Sequence, residues 1–74
     1  DLYNEYIMTG LRKFEGISLD HVKKVYGKTY ASYLEEQVGR HLEQRNLFWD
    51  GDHLKVAKQA KFLTDGIAAD LFFI

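Results

Sequence analysis

The stretch that decides the fold is Asn4–Gly16, which reads NEYIMTGLRKFEG. Apolar side chains recur at Tyr3, Ile7, Leu11 and Phe14, the three- and four-residue spacing that places them on one face of an α-helix. The polar residues between them fall on the opposite face. The spacing therefore predicts an amphipathic helix over residues 2–14, with one side packed on a core.

Capping residues predict where the first two helices begin and end. Asp1 offers an N-cap oxygen to the first helix, and Gly16 can end it in a left-handed conformation. Ser18 is the next N-cap, Asp20 suits the helix dipole, and Gly27 ends the second helix. The apolar residues expected in the core here are Ile17 at the corner, then Leu19, Val22, Val25 and Tyr26.

A longer third helix is predicted to start after Thr29, which is its cap, and to continue to about Arg45. Its buried stripe is expected to be Tyr30, Leu34, Val38 and Leu42, with Tyr33 and His41 at the margins. Glu36 and Arg40 have the spacing of a surface ion pair. Gly39 costs about 1 kcal/mol relative to Ala in a helix, which suggests that another element approaches it closely. Asn46 is expected to take the left-handed cap.

After the third helix the apolar period changes from 3.6 to 2, which predicts a β-hairpin over residues 47–56. A two-residue turn at Asp50-Gly51 would place Trp49 opposite Asp52. The face of the hairpin that packs inward is expected to carry Leu54 and Val56.

A last helix is predicted from Ala57 or Lys58 to Phe72, and it runs through Asp65-Gly66 without a turn. Its expected core face is Phe62, Leu63, Ile67 and Leu71. The apolar end at residues 71–74 either closes this core or docks on a partner. The expected fold is mainly α with a small β-hairpin, winged-helix-like: three helices, a two-stranded wing and a closing C-terminal helix in a single domain, residues 1–74.

Composition restricts the possible functions. The 74 residues carry a net charge of −1 and contain no cysteine, so disulfides, thiolate metal sites and cysteine nucleophiles are excluded. The balanced charge and the acidic third helix argue against nucleic acid as a partner. The sequence contains neither an apolar run of membrane-spanning length nor a signal-peptide pattern, so we expect no membrane partner and a cytoplasmic setting. The helical pattern starts almost at Asp1, which suggests a fragment of a longer protein.

No catalytic, cofactor-binding or metal-binding residue is assigned from the sequence. His21, His41 and His53 lack the spacing of a zinc site. One of them could be an axial haem ligand; alternatively, His21 and His53 face solvent and His41 borders the core. Glu5 and Arg12 lie on one face of the first helix, where they either orient a neighbouring domain or substrate, or pair with nearby charges.

Several motifs carry a resemblance to a known family: NEYIMTGLR followed by EG, LDHVKKVYG, YLEEQVGRHLEQ, NLFWDGDHLKV and KFLTDGIAADLF. Together they resemble the C-terminal domain of the oxygen-independent coproporphyrinogen III oxidases, a family that includes the HemW-type haem chaperones. Two departures from the family pattern are Asn46, where Gly is frequent, and AKQA at residues 57–60, where the family has a Thr-x-x-Gly start.

The resemblance implies a parent protein with a radical SAM barrel, whose CxxxCxxC motif holds a four-iron four-sulfur cluster and which uses S-adenosylmethionine. Such a parent decarboxylates coproporphyrinogen III oxidatively or, as the closing-helix motif favours, carries haem to acceptor proteins. This chain would then be a non-catalytic accessory domain that packs against the barrel. The alternative is a stand-alone winged-helix module for protein–protein or DNA binding, and a cysteine triad upstream of Asp1 would discriminate between the two.

Overall fold

A computed structural model describes residues 1–73. The helices are α1 (Leu2–Leu11), α2 (Leu19–Val25), α3 (Lys28–Glu43), a 3₁₀ segment (Lys58–Leu63) and α4 (Thr64–Asp70). The strands are β1 (Ile17–Ser18), β2 (Leu47–Asp50) and β3 (His53–Val56). The predicted mainly helical fold with a β-hairpin is confirmed. A third strand, β1, which was not predicted, pairs with the hairpin.

The three strands form an antiparallel sheet in the order β1-β3-β2. In the added pairing, Ile17 lies opposite Leu54 and Ser18 opposite His53. Ile17 is fully buried, as predicted for the corner. The sequence did not reveal β1 because two residues are too few to show an alternating pattern.

The hairpin turn lies one residue further along the chain than predicted. Asp50 pairs with His53 and Trp49 with Leu54, so the two turn residues are Gly51 and Asp52, not Asp50 and Gly51. Gly51 has φ = 61°, a conformation that favours glycine at this turn position. Trp49 therefore pairs with a residue two positions further along than predicted, Leu54 instead of Asp52. A shift of two residues leaves every side chain on its predicted face of the hairpin. Leu54 is buried as expected, and so is Val56.

The hairpin turn also caps α2. The Asp52 carbonyl accepts the Leu19 N–H at 3.1 Å, and the Asp52 carboxylate accepts the Asp20 N–H at 3.1 and 3.2 Å. The Ser18 hydroxyl accepts the His21 N–H at 3.1 Å, as predicted for the N-cap. Three of the amides that a helix start leaves without partners are thus satisfied, two of them by a residue distant in sequence.

Helix α1 is shorter than predicted, because it ends at Leu11 rather than Phe14. The Phe14 side chain is 85% exposed and does not join the core. Gly16 does not cap this helix, although it is left-handed with φ = 73°. A Cβ at Gly16 would collide with the carbonyl oxygen of Leu54. The glycine therefore permits the close approach of this loop to β3.

Helix α3 begins at Lys28 with Gly27 before it, so Thr29 is inside the helix and is not its cap. At the other end Arg45, with φ = 62°, takes the left-handed position predicted for Asn46. The Asn46 N–H donates to the His41 carbonyl at 2.9 Å, which closes the helix end.

The centre of the predicted α3 stripe is confirmed, because Leu34 and Val38 are buried. Its two ends differ: Ala31 and His41 are buried, whereas Tyr30 and Leu42 are only partly buried. Arg40 pairs with Asp70 of α4 at 3.3 Å, not with Glu36. The expected close approach at Gly39 is wrong, since a Cβ there would meet no described atom of another element within 4 Å. In α2, Val25 is also exposed, against expectation.

The predicted last helix is two elements, the 3₁₀ segment and α4. The tighter 3₁₀ winding changes which side chains face inward. As a result Phe62 is 84% exposed and Leu63 is 42% exposed, so their predicted core positions are wrong. The buried residues of this region are Ala60, Ile67, Ala68 and Leu71. Asp65-Gly66 lies inside α4, as predicted.

Side chains of α1 and α3 hold the backbone of residues 71–73. The bonds are Tyr3 Oη to Leu71 O (2.9 Å), Tyr33 Oη to Phe72 O (2.7 Å), and Asn4 to both N and O of Phe73 (2.8 and 3.2 Å). The chain end therefore closes the domain's own core as far as Phe73. The prediction for Ile74 concerns a residue outside those that the structure describes.

Every helix and strand contributes to one apolar cluster centred on Tyr3, Ile7, Leu34 and Leu54. Burial raises the pKa of the Tyr3 phenol well above its ordinary value. Asp1 caps α1 as predicted, with its carboxylate accepting the Tyr3 N–H at 2.8 Å. None of the helices within residues 1–73 has the length and apolar character needed to cross a membrane.

Candidate functional site

A surface groove of about 770 Å³ lies between the end of α1, the outer face of the β2–β3 hairpin and the 3₁₀ segment. Its apolar lining is Leu11, Phe14, Phe48 and Val56. Its cationic lining is Arg12, Lys13, Lys55, Lys58 and Lys61. This groove combines exposed aromatic rings with clustered positive charge.

Two phenylalanines give the groove its apolar surface. Phe14 is 85% exposed and Phe48 is 45% exposed. Phe48 lies on the outer face of the hairpin because its neighbours Leu47 and Trp49 take the face that packs on the helices. Large apolar side chains gathered at one recess are typical of an interaction site.

Lys55 joins the two phenylalanines. It pairs across the strands with Phe48, and its ammonium lies 4.9 Å from the centroid of the Phe14 ring, a cation–π contact. The ammonium also donates to the Asp50 carboxylate at 2.8 Å. This hydrogen bond is the main reason that the pKa of Asp50 lies below its ordinary value. Lys55 thus connects Asp50 and the Phe14 ring within the lining of the groove.

Positive charge exceeds negative charge around the groove. Arg12 donates two hydrogen bonds to Asp65, at 3.0 and 3.1 Å, and Lys55 is paired with Asp50. Within residues 1–73, Lys13, Lys58 and Lys61 take part in no ion pair. The groove therefore has a rim with about three uncompensated cations, on a chain whose net charge is −1.

His41 is the buried histidine and links α3 to α4. Its Nε2 lies 2.9 Å from an oxygen of Asp70, and its Nδ1 lies 3.2 Å from Nδ2 of Asn46. Because the Asn46 amide donates to Nδ1, the neutral ring carries its proton on Nε2 and donates it to Asp70. Both ring nitrogens are engaged within the domain, so this arrangement has a structural role.

The other two histidines lie on separate elements. His21 is exposed and stacks on the ring of Tyr6 at 4.5 Å between centroids. His53, at intermediate exposure, has Nδ1 2.9 Å from the Glu15 carbonyl oxygen. The structure does not bring the three histidines together, and no cluster of three or more His, Cys, Asp or Glu within residues 1–73 has the arrangement of a metal site.

Arg12 and Glu5 do not form a joint site. Arg12 pairs with an aspartate of the last helix, Asp65, which confirms one of the two roles predicted for it. Glu5 is exposed on α1, and its carbonyl accepts the Thr9 hydroxyl at 2.9 Å. Arg12 is instead part of the groove, together with residues that the sequence did not single out.

The tyrosines of α1 and α3, together with Tyr26 directly after α2, pack mainly on one another. Tyr3 contacts Tyr30 at 4.9 Å and Tyr26 at 6.2 Å between ring centroids. Burial is the main cause of a raised pKa at Tyr26. Tyr3 is fully buried, and Tyr26 and Tyr30 are partly buried against the core. The exposed phenylalanines are Phe14 and Phe48 in the groove and Phe62 outside it.

Fold and site together define a small, mainly helical domain whose most distinctive surface feature is a basic, aromatic groove. The HemN C-terminal domain family matches residues 1–63, and the chain belongs to that family. The resemblance predicted from the sequence is thereby confirmed, although most of the closing-helix motif lies beyond the matched residues. Comparison with curated proteins and with solved structures gave no match.

Proposed function

We propose that this chain is the non-catalytic C-terminal accessory domain of a radical SAM haem-pathway protein, a haem chaperone or an oxygen-independent coproporphyrinogen III oxidase. In this proposal it packs against the catalytic barrel of the same polypeptide in the cytoplasm. The observation that carries the proposal is the family match over residues 1–63. The exposed phenylalanines of the groove support it, since they offer apolar area for an inter-domain contact.

In this proposal the chemistry resides in the parent protein. The four-iron four-sulfur cluster that cleaves S-adenosylmethionine is held by cysteine thiolates, and this sequence has no cysteine. The cluster, S-adenosylmethionine and any haem or porphyrin therefore belong to the barrel. The domain contributes contact area and a fixed orientation.

The sequence suggested that Tyr and Phe side chains around the first and last helices pack against the barrel. Of the tyrosines, Tyr3 is buried, and Tyr26 and Tyr30 are partly buried with their rings in contact. The groove at Phe14 and Phe48 is the better candidate, because these rings are exposed and lie beside lysines that form no ion pair within residues 1–73.

The alternative function is a stand-alone winged-helix interaction or DNA-binding module. The observation that favours it is the order of elements, with α3 directly before the hairpin and β1 added beside β3. The charge of α3 speaks against DNA, because its exposed residues include Glu35, Glu36 and Glu43. A protein partner therefore remains the stronger version of this alternative.

The proposed function is tested first on the coding sequence upstream of Asp1, which should encode a CxxxCxxC motif. The upstream region and this chain are then expressed as two polypeptides, with a tag on this chain only. We expect them to co-purify at one-to-one stoichiometry. An upstream sequence without the cysteine triad, or an upstream region that elutes separately from this chain, would contradict the proposal.

A further inference from the structure

We propose that the groove holds an acidic segment of the upstream part of the same polypeptide, with one apolar side chain inserted between Phe14 and Phe48. This inference rests on the proposed function and deepens it, because it names the surface and the chemistry of the segment that occupies it.

The floor of the groove fits an apolar anchor. Leu11 and Val56 are buried at 5% and 8% exposure, while Phe14 and Phe48 rise beside them into solvent. An aliphatic or aromatic side chain placed there would contact both rings and remove them from water. Aromatic residues at the centre of a contact, surrounded by a polar rim, are the usual anatomy of a protein interface.

The rim fits carboxylates. Asp50 and Asp65 already neutralise Lys55 and Arg12. In the part of the chain that the structure describes, Lys13, Lys58 and Lys61 have no such partner. Two or three Asp or Glu residues next to the anchor would complete the pairing, and complementary potentials of this kind select the partner and its orientation.

The same features disfavour nucleic acid as the occupant. Stacking of a base needs a free aromatic face, and the Lys55 ammonium, 4.9 Å from the ring centroid, already occupies one of the two faces of Phe14. Phosphates at the rim would also approach the carboxylates of Asp50 and Asp65, which lie beside the groove cations. An acidic peptide needs no stacked base, and its carboxylates are separate side chains that can reach Lys13, Lys58 and Lys61 independently of the anchor.

The geometry of α1 lets an upstream segment reach the groove. The chain enters at Asp1, and the groove begins at Leu11, ten helical residues away. This distance is about 15 Å along the helix axis. A few extended residues of the upstream polypeptide span that length.

The test uses the intact parent polypeptide with a photo-crosslinker in the groove. Phe48→p-benzoylphenylalanine is irradiated, and the crosslinked peptides are identified by mass spectrometry. The matched control is Val25→p-benzoylphenylalanine, an exposed apolar position on α2 that does not line the groove. We expect position 48, and not position 25, to crosslink to an upstream segment with Asp or Glu next to an apolar residue.

Charge reversal then tests the rim. Lys58→Glu combined with Lys61→Glu should lower the crosslinking yield at position 48 by about tenfold, since attraction becomes repulsion. The control pair Lys23→Glu and Lys28→Glu lies outside the groove and should leave the yield unchanged. An equal loss in both pairs would show a general charge effect and overturn the inference.

The possible outcomes separate this inference from the proposed function. Suppose that the upstream region co-purifies with this chain. The groove inference is then wrong if position 48 crosslinks to nothing, to a segment without acidic residues, to nucleic acid or to another protein. In each of these cases the accessory-domain proposal stands. If the upstream region neither co-purifies nor crosslinks, both are wrong.

Discussion

Glycine is required at position 16 by the surrounding structure, whereas at position 39 the structure leaves room for a side chain. At Gly16 the backbone is left-handed, and a Cβ would collide with the Leu54 carbonyl oxygen. At Gly39 the backbone is helical, and a Cβ there would have no described atom of another element within 4 Å. The sequence attributed a close approach to Gly39 and only a helix cap to Gly16. Only tertiary placement distinguishes the two.

Gly16→Ala should therefore destabilise the domain by about 1–3 kcal/mol, because a left-handed non-glycine residue is strained and β3 would have to shift. Gly39→Ala is the matched control and should stabilise the domain by up to about 1 kcal/mol, the helix-propensity difference. Urea denaturation at neutral pH measures both. Equal effects of the two substitutions would contradict the packing described for residue 16.

Asp52 links the hairpin turn to α2 through side chain and backbone. The Ser18 hydroxyl donates to its carboxylate at 2.7 Å and is the main cause that lowers the pKa of Asp52; the Asp20 N–H contributes further. The sequence placed Asp52 in the hairpin but gave no indication that it caps a helix 32 residues earlier. A cap from a distant turn has no local sequence pattern.

Because the pKa of Asp52 is lower in the folded state, its charge contributes stability above about pH 4, and that contribution is lost as the pH falls through the folded pKa. Asp52→Asn keeps an acceptor but removes the charge, so its stability should fall less steeply between about pH 5 and 2 than that of the unmodified chain. Asp52→Ala should cost about 1 kcal/mol at pH 7, as for a lost cap. Urea midpoints across this pH range measure both effects, and an unchanged pH profile for Asp52→Asn would contradict the role assigned to the carboxylate.

At the scale of elements, the sequence predicted the order and number of the main helices and the hairpin. Their ends and buried faces were less predictable. Helix α1 stops three residues early, and at the ends of the α3 stripe Ala31 and His41 are buried instead of Tyr30 and Leu42. Local periodicity locates a helix, but the neighbouring elements decide which adjacent residue faces inward.

Residues 58–70 show the clearest difference between the helix predicted from the sequence and the structure. Phe62 and Leu63 fit a continuous α-helix, but residues 58–63 wind as a 3₁₀ segment and turn these side chains outward. Small residues fill the core in their place, namely Ala60 and Ala68. Alanine has too little hydrophobic character to reveal this in the sequence.

Leu71→Ala and Leu63→Ala test this assignment of the closing region. Leu71 is fully buried, so its truncation should cost about 2–5 kcal/mol and leave the domain largely unfolded at 37 °C. Because Leu63 is 42% exposed, Leu63→Ala should lower the free energy of unfolding by less than about 1 kcal/mol. Thermal unfolding followed by circular dichroism measures both. A loss at Leu63 as large as that at Leu71 would contradict this assignment and agree with the continuous helix, in which both residues lie on the core face.

At the scale of the whole molecule, the groove could not be predicted from the sequence. Its cations come from residues 12–13 and 55–61, and within a chain of net charge −1 they do not stand out. Phe14 and Phe48 were expected in a core face and in a strand. The fold brings these separate stretches onto one side, and only then does the basic, aromatic surface exist.

Haem binding by the isolated domain should be weak or absent. The His41 ring is held between Asp70 and Asn46, His53 contacts the Glu15 carbonyl, and His21 stacks on Tyr6. We expect titration with haem to give no saturable change in the Soret band at submicromolar concentrations. A one-to-one complex that is abolished by replacing a single histidine would move the haem site into this domain.

The central claim is that this domain packs on its parent protein through the groove. Amide hydrogen exchange, followed by mass spectrometry, tests it most directly by comparing the isolated chain with the same residues in the intact parent. We predict that exchange slows at residues 11–14 and 58–64, which lie at the groove, and is unchanged at residues 23–25, which are exposed at the end of α2 and do not line the groove. Identical exchange at residues 11–14 and 58–64 in the two proteins would contradict the account.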